Sequence, residues 1–417
     1  MRILVQFPTR QRPLQCRQAL QRYRQFQSGR HDVFYQTILD ADDSAMAAAP
    51  VRAWLATLPG RVLVRQGRGK ISACNAGVAD CPFAFDAAVL ASDDMLPTAP
   101  GWDAIVAEEM QRHFPALDGA VHFDDGYIGG SRLITLPVLG RRFLQRFGGF
   151  YHGAYQSLWA DNELTDVARL LGKVATVPRI IIRHEHCGKK PDALFAKNQT
   201  YWHEDKAAYE ARRKNGFDLR RPELSICIAA LECRRGSLGL LVDDVYSQIF
   251  ALPDHWQVEA HVLLDNKQTS VGRKRNDLLA LARGRYVCFI DDDDAVAPTY
   301  VADILSAIAG NPGCDCVVFQ GAYSINGRHV GPFDYAIGHG RYFQKGNVFY
   351  RTPNHLCPVR LELARQAGFP EISRGEDTAY AGRVLPLLKN EAAVLDGGNK
   401  KTLYYYQFSP EKTQTQR

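Results

Sequence analysis

Short apolar runs alternate with amphipathic segments along the chain, which is the pattern of an α/β protein. In the first half, "RILVQF", "VFYQTIL" and "FDAAVLA" predict strands, and "LQCRQALQRYRQFQ" predicts a helix. In the second half, "LSICIAAL", "VEAHVLL" and "RYVCFI" predict strands, and "ECRRGSLGLLVDDVYSQI" predicts a turn that leads into a helix. Because the order of elements repeats, the sequence predicts two copies of one α/β unit.

Acidic residues follow several of these predicted strands. In the first half one strand ends at Asp40 and another runs into Asp93 and Asp94; in the second half the strands run into Asp265 and into the four acids 291–294. Ligands bind at the carboxyl ends of strands in open α/β sheets. Adjacent carboxylates repel one another by about 1 kcal/mol per pair in water. The acids therefore indicate a bound cation, with a solvated acidic turn as the alternative interpretation.

Two later segments predict helices that begin with acids. "LWADNELTDVARLLGK" has Asp161 and Glu163 in its opening turn, and "RGEDTAYAGRVLPLLK" has Glu376 and Asp377 there. An acid in a first turn interacts favourably with the helix dipole, so neither pair is a site by itself. Their recurrence at matched places in both halves favours a shared function.

The joint between the two copies follows His186. A polar and helical extension of the first unit is predicted there, and the boundary is placed near Pro222, which gives domains 1–221 and 222–417. The last residues, "SPEKTQTQR", predict a flexible tail.

Composition excludes some classes of protein. The chain has 46% hydrophobic and 23% charged residues, which is typical of a globular protein, and its net charge of +6 permits an anionic partner without requiring one. Its ten cysteines form no CxxC pair, so reduced thiols are expected. No apolar run is long enough to span a membrane or to form a secretory signal, so a cytoplasmic protein without membrane contact is expected.

A nucleoside-diphosphate sugar would explain the acids. A divalent cation such as Mn²⁺ or Mg²⁺ prefers oxygen ligands and would bridge the carboxylates and the two phosphates. A separate carboxylate could then accept the proton of an acceptor hydroxyl. Paired acids together with a further acid at the start of a helix fit this division of roles.

The second half resembles family 2 glycosyltransferases of the GT-A fold through "SVGRKRNDLLALARGRYVCFIDDDDAVAP" followed by "GED". The first half resembles the same fold through "FPTRQRP", "KISACNAGVADCPFAFDAAVLASDDMLP", "WADNEL" and "HEH". The resemblance implies two tandem, Rossmann-like GT-A domains with mixed central sheets. Tandem chains of this kind resemble glycosyltransferases of phages and large viruses, which would place the protein in the host cytoplasm.

The resemblance also implies roles for individual residues. In the second unit it implies donor contacts by Asp265, Lys274, Arg275 and Asn276, metal contacts by Asp291, Asp293 and Asp294, and catalysis by Asp377 with Glu376 beside it. In the first unit it implies donor contacts by Thr9, Arg10, Asp40, Lys70 and Asn75, metal contacts by Asp93 and Asp94, and catalysis by Asp161.

Two histidines in "RIIIRHEH", His184 and His186, occupy alternate positions of a predicted strand and so share one face. Related transferases place a metal-binding histidine shortly after the candidate base, which is where these two lie. The second unit has no histidine in the matching "LYYYQFSP". There Gln407 or water completes the metal shell, His355 enters from elsewhere, or the unit does not bind metal in the usual way.

The predicted function is metal-dependent transfer of a sugar from a nucleoside-diphosphate donor to an acceptor hydroxyl, with inversion implied by the resemblance. Hydroxymethylated pyrimidines in DNA are one candidate acceptor, and glycan, lipid-linked and protein acceptors stay open. The two units would build two linkages, or one would only hold the acceptor.

Other functions are less well supported by the sequence. A sugar-nucleotide pyrophosphorylase would have a glycine-rich loop after its first strand, which "QFPTRQRP" lacks, and no GxxxxGK[ST] motif is present. A non-catalytic module that binds carbohydrate or nucleic acid is the main alternative. Its support comes from the basic stretches "RRKNGFDLRRP" and "GRKR" and the aromatic stretches "YYYQF" and "GRYFQKGNVFYR".

Overall fold

The computed structural model describes residues 1–67, 69–127, 132–185 and 193–408. Contacts within the chain divide it into two compact units, Met1–Asp218 and Leu219–Arg417. The sequence pattern placed the boundary a few residues further along, near Pro222.

The described part of the first unit alternates strands and helices. Its strands are β1 (Arg2–Pro8), β2 (Asp32–Asp40), β3 (Gly60–Arg65), β4 (Ala87–Leu90), β5 (Met95–Pro97), β6 (Ala120–Phe123), β7 (Val138–Gly140), β8 (Val174–Val177) and β9 (Ile182–His184). Its helices are α1 (Pro13–Gln25), α2 (Ser44–Ala47), α3 (Ala49–Leu55), α4 (Lys70–Asn75), α5 (Trp102–His113), α6 (Arg141–Phe147), α7 (Ala160–Leu170), α8 (Ala193–Gln199) and α9 (Trp202–Lys214).

Seven strands of this unit form one mixed sheet in the order β3-β2-β1-β4-β7-β6-β8. Strands β3, β2, β1 and β4 are parallel, whereas β7 is antiparallel to both β4 and β6. Strands β5 and β9 form a separate antiparallel pair.

The described part of the second unit contains the following elements. Its strands are β10 (Leu224–Leu231), β11 (Val258–Asp265), β12 (Tyr286–Phe289), β13 (Ala295–Val296), β14 (Cys316–Val318), β15 (Gln320–Ile325), β16 (Arg328–Tyr335), β17 (Phe343–Lys345), β18 (Val348–Arg351), β19 (Val359–Arg360), β20 (Glu391–Ala393), β21 (Leu395–Asp396), β22 (Asn399–Lys400) and β23 (Thr402–Phe408). Its helices are α10 (Arg235–Phe250), α11 (Val271–Leu281), α12 (Tyr300–Gly310), α13 (Leu361–Ala367) and α14 (Glu376–Val384).

The central sheet of the second unit has the order β11-β10-β12-β19-β14-β20. Strands β11, β10 and β12 are parallel, β19 is antiparallel to its neighbours on both sides, and β14 and β20 are parallel. This is the order and orientation of β2-β1-β4-β7-β6-β8 in the first unit. The predicted α/β fold with two units of one type and mixed central sheets is therefore confirmed, and the first unit adds β3 at one edge.

Apolar faces explain why these elements form and pack. Helix α10 buries Leu238, Leu241, Val242, Val245 and Ile249, which recur at the spacing of one helical face. Strand β10 is buried along nearly its whole length because helices cover both faces of a parallel sheet. The predicted strands and helices agree with these elements, although β9 covers only the end of the apolar run "RIIIRHEH".

A second sheet of the second unit has no counterpart of similar size in the described first unit. Its order is β13-β23-β15-β16-β18-β17. Asn326 and Gly327, both with positive φ, make the tight turn between β15 and β16. The sequence pattern did not predict this sheet.

Candidate active sites at the carboxyl ends of the central strands

The acids after β12 are neutralised in part by the arginine that precedes α10. The carboxylate of Asp292 accepts hydrogen bonds from the Leu231 backbone N–H at 2.8 Å and from the Arg234 guanidinium at 2.7 Å. The same guanidinium lies 3.0 Å from Asp293. One positive charge thus faces two carboxylates, which leaves this end of the strand with excess negative charge.

Asp294 is held by neutral partners. Its carboxyl oxygens accept hydrogen bonds from the Tyr404 hydroxyl at 2.7 Å and from the Gln407 backbone N–H at 2.8 Å. Burial, together with the charge of Asp291, raises the pKa of Asp294 well above its usual range. Burial also raises the pKa of Asp293 to about 6, against the opposing charge of Arg234. Both carboxyl groups therefore favour a nearby cation.

Arg275 joins this cluster to the first turn of α14. Its guanidinium lies 2.8 Å from Asp291 and 2.8 Å from Glu376, and its side chain is 3% exposed. Helix α14 begins at Glu376, directly after Gly375, whose φ of 79° is in the left-handed region that glycine adopts readily. Asp377, the predicted base, is the next residue, and its carboxylate is partly exposed. The predicted residues Asp291, Arg275, Glu376 and Asp377 are thus brought together.

His355 enters the cluster from the segment before β19. Its Nε2 atom lies 3.4 Å from the Asp291 carboxylate, and its backbone carbonyl accepts a hydrogen bond from the Phe289 N–H at 2.8 Å. Of the alternatives left open by the sequence, both His355 and Gln407 therefore contact the acids, Gln407 through its backbone.

The predicted donor residues of the second unit make two different kinds of contact. The Lys274 ammonium lies 2.6 Å from Asp265 and donates to the Ala230 carbonyl at 2.9 Å. Although burial opposes it, Lys274 lowers the pKa of Asp265. Asn276 instead binds backbone: its amide donates to the Phe369 carbonyl and accepts from the Phe369 N–H, both at 2.9 Å. Asn276 therefore anchors the segment that leads to α14.

In the first unit, Asp93 is held by residues at the end of β1. Arg12 lies 2.9 Å from one carboxylate oxygen, and the Thr9 hydroxyl donates to the other at 3.2 Å. Burial raises the pKa of Asp93 despite the charge of Arg12. Arg12 precedes α1 as Arg234 precedes α10, so the basic turn of each unit holds the acids that follow the central strand.

Asp94 and His184, both candidate metal ligands from the sequence, lie close together. His184 Nε2 lies 3.6 Å from Asp94, and its Nδ1 lies 3.5 Å from Asp125. Burial lowers the pKa of His184, but its bonds with the two carboxylates outweigh burial and raise the pKa to about 9. His186 lies outside the described residues.

Asp125 was missed by the sequence interpretation. It follows β6 in "HFDDGY", where paired acids end an apolar strand as they do after β4. That pattern is the signal that could have identified it.

Asp161 and Lys70 complete the candidate site of the first unit. Asp161 is the second residue of α7, which follows Trp159 with a φ of 62°, the place that Gly375 occupies before α14. Burial raises the pKa of Asp161, whereas Lys70 and His184 lower it. Lys70 also lowers the pKa of Asp94, so these four side chains are electrostatic neighbours.

Asp40 lies at the end of β2 between two arginines. Arg10 is 2.8 Å and Arg65 is 2.9 Å from its carboxylate. Arg65, which the sequence interpretation did not select, also lines an open cleft of about 670 Å³ together with Gln66, Ile71, Ser72, Asn75 and Gln156. The predicted nucleotide contacts at Asp40 and Arg10 thus stand beside a cleft of ligand size.

The Asn75 side chain repeats the contact of Asn276. Its amide donates to the Tyr151 carbonyl at 2.7 Å and accepts from the Tyr151 N–H at 3.0 Å. In contrast, the ion pair between Arg275 and Glu376 has no equivalent here, because Cys74 precedes Asn75 and α7 begins with Ala160. We call the contact of an asparagine amide with the N–H and the carbonyl of one residue the clamp. The first unit therefore has the clamp and lacks the ion pair.

No group of three or more His, Cys, Asp or Glu side chains is arranged to hold a metal ion in the ranges that the structure describes. Within the same ranges, none of the helices combines the length and the hydrophobicity needed to cross a bilayer.

A family model described as glycosyl transferase family 2 matches residues 253–365. The matched segment lies within the second unit and includes β11, α11, β12 and the acids 291–294, whereas Asp377 follows it. The predicted resemblance to that family is therefore confirmed in the second unit.

Three similar solved structures are of two proteins, TarS and a mannosyltransferase. S. aureus TarS 1-349 has 18% identity and a TM-score of 0.34, covering 44% of this chain and 60% of that one. Its complex with UDP-GlcNAc has 15% identity and a TM-score of 0.33, covering 45% and 58%. Mannosyltransferase PcManGT from Pyrobaculum calidifontis, in complex with GDP-Man and Mn²⁺, has 17% identity and a TM-score of 0.38, covering 50% and 61%.

The chain spans less than two thirds of the length of each of these structures. A comparison with curated proteins gives no match.

Proposed function

We propose that the second unit transfers a glycosyl group from a nucleoside-diphosphate sugar to an acceptor hydroxyl, with inversion at the anomeric carbon. The observation that carries the proposal is the double ion pair of Arg275, which joins Asp291 to Glu376 and so unites the strand-end acids with the helix that carries Asp377. The family match over residues 253–365 supports the class of reaction.

In this proposal the donor nucleoside binds near Asp265, at the carboxyl end of β11. The Lys274 ammonium is already bound to Asp265 and to the Ala230 carbonyl. Its role is therefore to fix the Asp265 carboxylate for a hydrogen bond to the nucleoside. Asn276 contributes indirectly, because its amide fixes the backbone of Phe369 ahead of α14.

Asp293 and Asp294 would hold a divalent cation, Mn²⁺ or Mg²⁺. The site fits such an ion, because both carboxyl groups have raised pKa values and the two oxygens of Asp294 accept hydrogen bonds from neutral groups. When bound, the ion would stabilise the negative charge that develops on the departing diphosphate. His355, beside Asp291, is available to help to orient that carboxylate.

Asp377 acts as the base in the proposed reaction. The acceptor oxygen forms a bond to the anomeric carbon while the bond from that carbon to the diphosphate oxygen breaks, and its electron pair leaves with the nucleoside diphosphate. Asp377 takes the proton of the acceptor hydroxyl. Asp377 is partly exposed, which is compatible with access by an acceptor.

The first unit is proposed to bind a second nucleotide through Asp40, Asp93 and Asp94. The cleft beside Asp40 and Arg65 supports nucleotide binding. Asp161 is the candidate base, near Lys70 and His184. Either this unit builds a second linkage or it holds the acceptor for the first.

Hydroxymethylated pyrimidines in duplex DNA remain a candidate acceptor. This hypothesis is tested by measuring the affinity of the chain for duplex DNA that contains hydroxymethylated pyrimidines, at several salt concentrations. Affinity that falls steeply with salt supports this acceptor, and no affinity at low salt rules it out.

The proposal is tested by calorimetric titration of the full chain with UDP, GDP, CDP and TDP, with and without Mn²⁺. Binding of one nucleotide that requires Mn²⁺ is expected. Asp293→Asn should abolish the site in the second unit and Asp94→Asn the site in the first, whereas Asp277→Asn, on the exposed side of α11, should abolish neither. If a folded sample binds no nucleotide, the non-catalytic binding module becomes the better interpretation.

A further inference from the structure

The second sheet of the second unit carries four aromatic side chains in mutual contact. We call this cluster, Tyr323, Phe333, Phe349 and Tyr406, the aromatic face. The ring centroid of Tyr323 lies 5.5 Å from Phe333, 5.7 Å from Phe349 and 5.4 Å from Tyr406. All four rings are partly exposed, so together they form an apolar surface that remains accessible to a ligand.

Strand register explains why the four rings share a face. Tyr323 on β15 pairs with Tyr406 on β23, and Phe333 on β16 pairs with Phe349 on β18. Side chains directly opposite each other on neighbouring strands lie on the same side of a sheet. One surface thus contains residues of the two aromatic stretches "YYYQF" and "GRYFQKGNVFYR". The aromatic residues of this surface have no role in the proposed reaction.

One end of the aromatic face reaches the strand-end acids. Strand β23 passes from Tyr404, whose hydroxyl donates to Asp294 at 2.7 Å, to Tyr406 two residues later. Burial raises the pKa of Tyr406, and the charges of Asp294 and Asp291 raise it further. Tyr406 is therefore an electrostatic neighbour of the proposed metal ligands.

The other end approaches the proposed base. The guanidinium carbon of Arg351 lies 5.6 Å and 5.7 Å from the ring centroids of Phe333 and Phe349, and 4.6 Å from that of Tyr342. Burial raises the pKa of Tyr342, and the charge of Asp377 adds to this effect. Arg351 thus links the aromatic face to Tyr342, which is an electrostatic neighbour of Asp377.

We propose, on the basis of the function proposed above, that the aromatic face is the acceptor subsite and that it binds a saccharide ring. The C–H bonds on one side of a pyranose form an apolar surface with positive edges, which packs on the negative faces of aromatic rings. Arg351 supplies hydrogen-bond donors at the edge of the rings for the sugar hydroxyl groups.

Charge favours a saccharide over a nucleic acid on this surface. Arg351 is the cation that contacts the rings, and its guanidinium is stacked among them. Lys345 adjoins Gln344, the residue paired with Phe349, and so occupies the alternate side of the sheet. Asp291, Asp293 and Asp294 lie near one end and, without a bound cation, would repel a phosphate backbone.

Saturation-transfer NMR on the full chain tests the proposal, with aromatic protons irradiated and methyl glycosides of glucose, galactose, mannose and N-acetylglucosamine as probes. We expect transfer to the ring C–H protons of at least one glycoside. Tyr323→Ala and Tyr323→Leu should each reduce it at least about fivefold. Phe343→Ala should leave the transfer unchanged. Phe343 is 39% exposed and stacks on Tyr350, and both lie on the side of the sheet opposite to the aromatic face.

Three outcomes would overturn the proposal: no glycoside receives saturation, Tyr323→Leu in a folded sample leaves the transfer unchanged, or Phe343→Ala reduces it as much. Binding of a single-stranded oligothymidylate that Tyr323→Leu abolishes would also overturn it, since the face would then bind nucleobases. Nucleotide titration of the same samples separates this test from that of the proposed function, because glycoside binding is measured without nucleotide.

Discussion

The carboxylate of Glu376 lies 2.8 Å from the guanidinium of Arg275, although the two residues are 101 positions apart in the chain. The same guanidinium binds Asp291 at 2.8 Å. One buried arginine thus fixes the start of helix α14 against the end of strand β12. The distance between the proposed metal ligands and the proposed base depends on this contact.

Replacing Arg275 by methionine should destabilise the protein and abolish transfer. The change leaves the buried Glu376 carboxylate and the partly exposed Asp291 carboxylate without this partner, and removing one partner of a buried ion pair costs about 3 to 5 kcal/mol. Urea unfolding measures the loss. Arg273→Met on the same helix is the matched control, because Arg273 forms only solvent-exposed ion pairs among the described residues, with Asp277 at 3.0 Å and Glu371 at 3.3 Å, and exposed pairs contribute little to stability. Equal losses for both variants would contradict the assigned role of Arg275.

Asp377→Asn should lower kcat for sugar transfer by a factor of about 10² to 10⁴, which is the usual contribution of a general base. Nucleotide affinity should stay unchanged, because Asp377 does not belong to the proposed donor or metal contacts. Transfer rates and calorimetric titration of the same sample measure the two effects. A kcat within twofold of the unchanged protein would exclude Asp377 as the base.

Asn276→Ala should cost about 1 to 3 kcal/mol in unfolding free energy, because the change leaves the N–H and the carbonyl of Phe369 without their partner. Asn75→Ala should have a similar cost, since Asn75 makes the same two bonds with Tyr151. Chemical denaturation measures both.

The two asparagine variants should differ in function. Asn276→Ala should also reduce transfer, because the clamp precedes the helix that carries Asp377 in the second unit. Should Asn276→Ala leave the unfolding free energy unchanged, the clamp would have no stabilising role.

Glu259 should make stability depend on pH. Its buried carboxylate accepts a hydrogen bond from Ser225 at 2.7 Å and lies 2.8 Å from Arg283 and 3.4 Å from His261. Burial opposes the charged form, but these partners hold the pKa of Glu259 well below its usual range. A lowered pKa contributes stability that is present above the unfolded value of about 4.3 and is lost as the pH falls below it.

Glu259→Gln should therefore be less stable than the unchanged protein at pH 7, by about 1 to 3 kcal/mol. The difference should shrink between pH 4 and pH 3, as the unchanged protein loses the contribution of its carboxylate. Urea unfolding at a series of pH values measures it. A difference that stays constant from pH 7 to pH 3 would show that charge is not the cause.

Local patterns were sufficient to predict the central elements of both units. Apolar runs such as "LSICIAAL" become buried strands, here β10 with the same limits, because a strand inside a parallel sheet is covered on both faces and the run is too short for a typical helix. The location of the acids after β4 and β12 at a candidate site could also be predicted, because strand ends gather at one edge of a parallel sheet. The duplication followed from the repeated order of these elements.

The side-chain contacts of the site residues could not be predicted from the sequence in the same way. Nothing local assigns Asn276 to the backbone of Phe369, because that contact depends on how α11 packs beside the segment before α14. Asp125 is the opposite case. It could have been predicted from the sequence, because it belongs to a pair of acids that follows the apolar strand β6.

The sequence by itself determined two α/β units, their strand-end acids and the helices whose first turns contain Asp161 and Asp377, because these features depend on residues close together in the chain. Only the tertiary structure decided that Arg275 binds both Asp291 and Glu376, that His355 reaches Asp291, and that four aromatic residues form one face. These contacts join segments from different strands and helices. Their geometry is set by sheet register and by packing, which no local pattern specifies.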